Sequence, residues 1–199
     1  MSAAANIKLS EEDLLRAQTY AFLSNMLLSP PDAATLDNLA ALQGDESDIG
    51  KGYGALAERA GAMGVQDVAE EYQDLFIGIG RGELVPFGSY YLTGFLNEKP
   101  LADLRATMGR LGIARAEGVK EPEDHIGSLC EMMSGLIIGS YGTQATPAVQ
   151  KQMFTDHIAR WGGHFFADLE KAQTAKLYAP LGTIGKEFIA IEAQAFEMD

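Results

Sequence analysis

The sequence predicts an all-α protein, a compact bundle of about eight or more helices with one long loop near residues 77–99. Apolar residues recur at three-to-four spacing from end to end of the 199-residue chain, no useful stretch of strand alternation competes, and capping residues and prolines fall between the stripes. A single unit over residues 1–199 is expected, because 47% apolar content is enough to bury a substantial core at this length.

The first helix starts behind the capping sequence Ser10-Glu11-Glu12-Asp13, carries Leu15, Phe22, Leu23, Met26 and Leu27, and runs to about Ser29, where Pro30-Pro31 stops it. Asp32 caps a short second helix to Leu42, and a Gly/Asp/Ser stretch separates this from a third near Tyr53 to Met63. A fourth follows Asp67, with Val68, Tyr72, Leu75 and Phe76 on one face. Between Ile77 and Lys99 the pattern fails, because five glycines interrupt an aromatic segment, VPFGSYYLTGFL. A structureless connection of that length points to a functional segment. Regularity returns at Pro100, with Leu101, Leu104, Met108 and Leu111 closed by Gly112. The next helix begins at Pro122 and carries Ile126, Leu129, Met133, Leu136 and Ile137. Two long helices complete the chain. Phe154, Ile158, Trp161 and Phe165 line one; Ile184, Phe188, Ile191 and Ala195 line the other, with Pro180 and Gly182 in the connection. A hinge is plausible near 112–121, around Gly112 to Gly118.

Composition narrows the function. No run of eighteen apolar residues appears and the N-terminus has neither a basic patch nor an apolar core, so a cytoplasmic protein is expected, without membrane insertion. The lone Cys130 excludes an internal disulfide and, with three scattered histidines, argues against a thiolate metal site. A net charge of −13 repels nucleic acid and favours basic peptides or protein segments.

The most pointed constellation is Glu121-Pro122-Glu123-Asp124-His125, three carboxylates and an imidazole in and just before the first turn of a helix. The positive end of the helix dipole suits the acids and disfavours protonation of His125. Two readings stay open: a polar clamp for a ligand, or charge complementarity with His125 bonded into the core. His157, Arg160, His164 and Asp168 share one helical face, but neither Cys-x-x-Cys nor His-Glu-x-x-His is present, so a solvated face is expected and no metal or other cofactor. Ser89 and Ser128 sit in no nucleophile elbow, and Gly78-Ile79-Gly80-Arg81-Gly82 lacks the ending of a phosphate loop. The aromatic group Phe87, Tyr90, Tyr91 and Phe95, joined to Tyr72 and Phe76, reads either as core or as a groove for an apolar peptide.

Three segments in order, Glu71-Tyr72-Gln73-Asp74-Leu75-Phe76-Ile77-Gly78, Pro86-Phe87-Gly88-Ser89-Tyr90-Tyr91-Leu92 and Glu121-Pro122-Glu123-Asp124-His125, resemble the TorD/DmsD/NarJ family of redox-enzyme maturation chaperones. The resemblance covers most of the chain. It implies a non-enzymatic, all-helical chaperone that binds the twin-arginine signal peptide of a molybdopterin reductase, of the dimethyl sulfoxide or trimethylamine N-oxide type, and retains the apoenzyme until its cofactor is loaded. The signal-binding residues it implies are Tyr72, Leu75, Phe76, Pro86, Phe87, Ser89, Tyr91, Asp124 and His125. Phe87 departs from the tryptophan common in the DmsD branch, which leaves the client open. Some family members form dimers by exchanging halves, so a monomer or an exchanged dimer fits. In a physical version of this reading, Glu121, Glu123 and Asp124 engage the arginines while Leu75, Phe76, Phe87 and Tyr91 cover the apolar stretch. Two other readings compete: a helical adaptor for folded partners, and a His/carboxylate hydrolase.

Overall fold

The computed structural model describes residues 9–115, 118 and 121–198, and among them it contains ten α-helices, one π-helical turn and no strand. The helices are α1 (Glu11–Leu28), α2 (Ala33–Ala40), α3 (Asp48–Ala62), α4 (Val65–Tyr72), α5 (Gly88–Thr93), α6 (Lys99–Leu111), α7 (Ile126–Ile138), α8 (Pro147–His157), α9 (Gly162–Lys171) and α10 (Tyr178–Met198); the π turn, Gln73–Ile77, continues α4. Five start on side-chain caps, since Ser10, Asp32, Ser47, His125 and Thr146 each accept a backbone N–H from the first turn.

The fold is built on α1, α7 and α10. Helices α1 and α7 pack along each other, α10 lies between α9 and α3, and α2 covers α3. Tyr20, Leu23 and Leu27 of α1 meet Cys130, Met133 and Ile137 of α7 and Phe188 of α10 in one contiguous apolar cluster, with the Tyr20 and Phe188 rings edge-to-face at 4.7 Å. A buried charge lies within it. Glu192 is 1% exposed and accepts both arms of Arg16, at 2.7 and 2.9 Å, and the Tyr20 hydroxyl at 3.0 Å. The paired fork meets the requirement that a buried carboxylate be neutralised and hydrogen-bonded.

Several boundaries differ from the sequence reading, each for a tertiary reason. Helix α3 starts at Asp48, not near Tyr53, because Ser47 caps it and its packing on α10 and α2 outweighs the glycines in its first turns. Helix α7 starts at Ile126 rather than Pro122, so the acidic run precedes the helix instead of opening it. The expected Phe154–Phe165 helix is two, α8 and α9, broken at Ile158–Trp161. His157, Arg160, His164 and Asp168 therefore share no helical face, and His157 is buried against the Thr107 hydroxyl at 2.9 Å. Pro180 and Gly182 lie inside the first turns of α10, where a proline is tolerated because its missing N–H has no partner to lose. The buried face of α10 runs Ile184, Phe188, Glu192 and Phe196, while Ile191 points to solvent. Likewise Leu15, expected on the buried stripe of α1, is 58% exposed.

Part of the proposed hinge, residues 116, 117, 119 and 120, lies outside the described residues. Among the described residues no helix is long and apolar enough to cross a membrane, and no group of three or more His, Cys, Asp or Glu side chains could hold a metal ion.

Candidate functional site

The three segments singled out in the sequence form two adjoining joints. In the first, residues 86–89 lie against 124–127. Gly88 N–H donates to the Asp124 carbonyl at 2.9 Å and Ile126 N–H to the Pro86 carbonyl at 2.9 Å, an isolated antiparallel bridge between Phe87 and His125. Asp124 is 3% exposed, and its Oδ2 accepts the Ser89 N–H at 2.6 Å, holding the start of α5. His125 caps α7 with Nδ1, which accepts the Gly127 N–H at 3.0 Å, and the Phe87 ring stands edge-on to the imidazole at 5.1 Å. Burial pushes the His125 imidazole down to about 4. The ring is therefore neutral, as expected, with desolvation as the cause.

The second joint belongs to Glu71. This carboxylate is 5% exposed and accepts three backbone N–H groups at the start of α10: Lys176 at 2.6 Å and Tyr178 at 2.9 Å on Oε1, Leu177 at 3.1 Å on Oε2. Glu83 accepts Gln173 and Thr174 N–H and the Thr174 hydroxyl just before it. Neither glutamate was singled out as a site residue. The signal for Glu71 was an acid at i+3 from Val68 and i−4 from Leu75, inside the buried stripe. Beside it Tyr72, Phe76 and Tyr178 make a three-ring cluster with centroids 5.1 to 6.0 Å apart, and the Tyr72 hydroxyl donates to the Leu27 carbonyl at 3.1 Å. Leu75 is wholly buried. The Asp74 and Leu75 carbonyls accept Glu83 and Leu84 N–H, so the π turn and the chain after it are laced together.

The long loop of the sequence reading contains α5, which leans on Trp161. Gly88 makes that approach possible, since a Cβ there would sit 3.1 Å from the indole. Tyr91 stacks at 5.3 Å on Trp161 and donates to Asp168 at 3.0 Å; burial and that carboxylate push its phenol up. The aromatic residues thus separate into a Tyr72/Phe76/Tyr178 group, a Phe87/His125 pair and a Tyr91/Trp161/Phe165 group, and Phe95 is 69% exposed and joins none.

Exposure sorts the sequence-predicted residues. Leu75, Pro86, Ser89, Asp124 and His125 are buried, whereas Tyr72, Phe76, Phe87 and Tyr91 are half-buried. Glu123 is spoken for: Arg105 donates twice to its Oε2, at 2.8 and 3.0 Å, and Arg115 lies 3.9 Å from Oε1. Partial burial is the largest influence and works to raise its pKa, but the Arg105 hydrogen bonds, a backbone hydrogen bond and the charges of Arg105 and Arg115 together hold the carboxyl below its ordinary value. Glu121 is exposed and close enough to Tyr72 to help burial push that phenol up. It also borders a 160 Å³ recess with Glu131, Met132 and Tyr141. No hydrogen bond joins Ser89 or Ser128 to His125 among the described residues, so the parts of a nucleophilic relay are not assembled.

The chain is similar to known proteins. The family described as nitrate reductase delta subunit matches residues 42–167, which include all three segments. The chaperone protein TorD of Vibrio atlanticus is 23% identical over 200 residues, 90% of this chain and 93% of its own length. A protein of Haemophilus influenzae described as a probable Tat proofreading chaperone DmsD is 30% identical over 121 residues, 60% of this chain and 57% of its own. Among solved structures, a protein of Archaeoglobus fulgidus described as a redox enzyme maturation protein superposes with a TM-score of 0.62 at 20% identity, covering 94% of this chain and 99% of that one.

Proposed function

The chain belongs to the nitrate reductase delta subunit family as a redox-enzyme maturation chaperone of the TorD/DmsD kind, not an enzyme, and from that premise we propose that it binds the twin-arginine signal peptide of a molybdopterin-containing reductase. It does so in the cytoplasm, as one unit over residues 1–199, and holds the apoenzyme until its cofactor is inserted.

The observation that carries this reading is the exposed Glu121 carboxylate beside the half-buried rings of Tyr72 and Phe76. A twin-arginine signal pairs two guanidinium groups with an apolar stretch, and this edge offers the matching pair of chemistries. Tyr72, Phe76, Phe87 and Tyr91 supply apolar contact, and Glu121 supplies charge. Leu75, Pro86, Ser89, Asp124 and His125 hold those contacts in place from beneath, and Glu123, already paired with Arg105, fixes the acidic segment against α6. Affinity comes mostly from apolar burial. The charges add orientation and encounter rate, because rim pairs contribute about 0–1 kcal/mol each.

Calorimetric titration with a twin-arginine signal peptide, beside a control whose two arginines are glutamines, tests this at two salt concentrations. The native peptide binds more tightly, and its advantage shrinks as salt screens the carboxylates. Equal binding of the two peptides, or none by either to the folded protein, refutes the reading.

A further inference from the structure

The short helix α5 is held by two sets of contacts, and one of them is incomplete. Through its rings it is tied outward: the Arg81 guanidinium donates to the Tyr90 hydroxyl at 2.6 Å and lies over that ring at 4.9 Å, and the Tyr91 hydroxyl donates to Asp168 at 3.0 Å. At its first turn the hold is half made. Asp124 Oδ2 accepts the Ser89 N–H at 2.6 Å, yet Asp124 Oδ1 and the Ser89 hydroxyl, on the two residues that this bond joins, are both buried and have no hydrogen-bond partner among the described residues.

The hydroxyl is a donor and the carboxylate oxygen an acceptor, so each is what the other lacks. The complete form of the pairing occurs elsewhere in the molecule, where Glu83 accepts both the N–H and the hydroxyl of Thr174, at 3.0 and 2.6 Å. Buried polar groups left apart cost more than the bond between them is worth, so a position of α5 in which these two meet lies close in free energy. The surroundings permit a small shift. A recess of about 10 Å³ is lined by Gly88 and Leu92 of α5 and by Leu104 and Trp161, and the helix has only six residues and ends on Gly94 at a φ of 84°.

We propose that α5 is a two-position strap. In the position described, Tyr91 is latched to Asp168 and the Ser89 hydroxyl is idle. A client signal peptide lying on Phe87 and Tyr91 releases the latch and seats α5, so that the Ser89 hydroxyl donates to Asp124 Oδ1. Ser89 is 0% exposed and takes part without touching the peptide. The inference rests on the signal-peptide reading above and adds to it a conformational step that couples recognition to the Asp124 joint.

The test titrates a twin-arginine signal peptide into the natural chain, Ser89→Ala and Asp168→Ala, and measures the urea midpoint of each protein without peptide. Ser89→Ala removes a hydroxyl that bonds nothing in the free protein, so its midpoint does not fall, while its affinity for the peptide falls about fivefold, the worth of one hydrogen bond. Asp168→Ala, at an exposed position, opens the latch in advance and tightens the peptide about threefold. A purely structural role for Ser89 does not give effects of opposite sign at the two positions. Unchanged affinity in Ser89→Ala, a lowered midpoint for that variant without peptide, or an Asp168→Ala chain that binds no more tightly than the natural one each overturns the strap and leaves the signal-peptide reading intact. If the natural chain binds no signal peptide, both fall.

Discussion

Replacing Glu71 by alanine removes the acceptor of three backbone N–H groups where the chain enters α10. Lys176 is exposed, so water replaces the carboxylate at its N–H. Leu177 and Tyr178 are 0% exposed, and their N–H groups are left buried without a partner. At about 1–3 kcal/mol for each stranded donor, the loss is about 2–6 kcal/mol, a large part of the 5–15 kcal/mol that holds a typical domain together. Glu71→Gln is milder. The oxygen that serves both Lys176 and Tyr178 survives, and only the contact to Leu177 becomes donor against donor. Urea unfolding followed by far-ultraviolet circular dichroism gives the midpoints, with unchanged slopes securing the comparison. The expected order is natural chain, then Gln, then Ala. An alanine variant within about 1 kcal/mol of the natural chain refutes the claim that this carboxylate joins α4 to α10.

His125 carries the clearest pH dependence. Its folded value near 4 lies below the ordinary 6.5, so the unfolded chain binds the proton more readily, and the stability it contributes is complete above 6.5 and lost as pH falls towards 4. On a scale of about 1.4 kcal/mol per pH unit the loss approaches about 3 kcal/mol, and His125→Gln flattens that part of a urea-midpoint profile between pH 7 and 4.5. Gly78→Ala lowers the melting temperature sharply in a thermal scan, because φ of 61° with ψ of 177° is a region other residues avoid and the added Cβ meets the Arg81 carbonyl. Glu121→Gln weakens the native signal peptide and reduces its salt dependence in calorimetry, whereas Glu123→Gln, which removes an acid already paired with Arg105, changes affinity less.

The helices were legible wherever a stripe and a cap agreed. Ser10 and Asp32 cap the elements they were expected to cap, and Leu101, Leu104 and Met108 are buried on α6. The reading failed where tertiary contact outweighed local preference. Glycines hid the first turns of α3, and an unbroken stripe hid the break at Ile158–Trp161, where Trp161 turns its indole N–H onto the His157 carbonyl at 2.7 Å. Helix α5 was read as loop because six residues flanked by glycines carry no periodicity; Asp124, thirty-five positions away, supplies its cap. For the candidate site, the residues were legible but their depth was not. A carboxylate that binds a partner and one that binds the chain's own backbone look alike in a sequence, and only the fold distinguishes exposed Glu121 from buried Asp124.

That distinction changes how the acidic surplus acts. Glu71, Glu83, Asp124 and Glu192 spend their charge on backbone N–H groups or Arg16, and Glu123 on Arg105, so the segments that stand out in the sequence are largely the joints of the fold. On the signal-peptide reading proposed above, recognition then falls to what the joints display: the four half-buried rings and the exposed carboxylate of Glu121. A loss of binding in an Asp124 or His125 variant consequently reports a displaced surface as readily as a lost contact. Substitution at Glu121, which is exposed, separates recognition from folding because it leaves both joints intact.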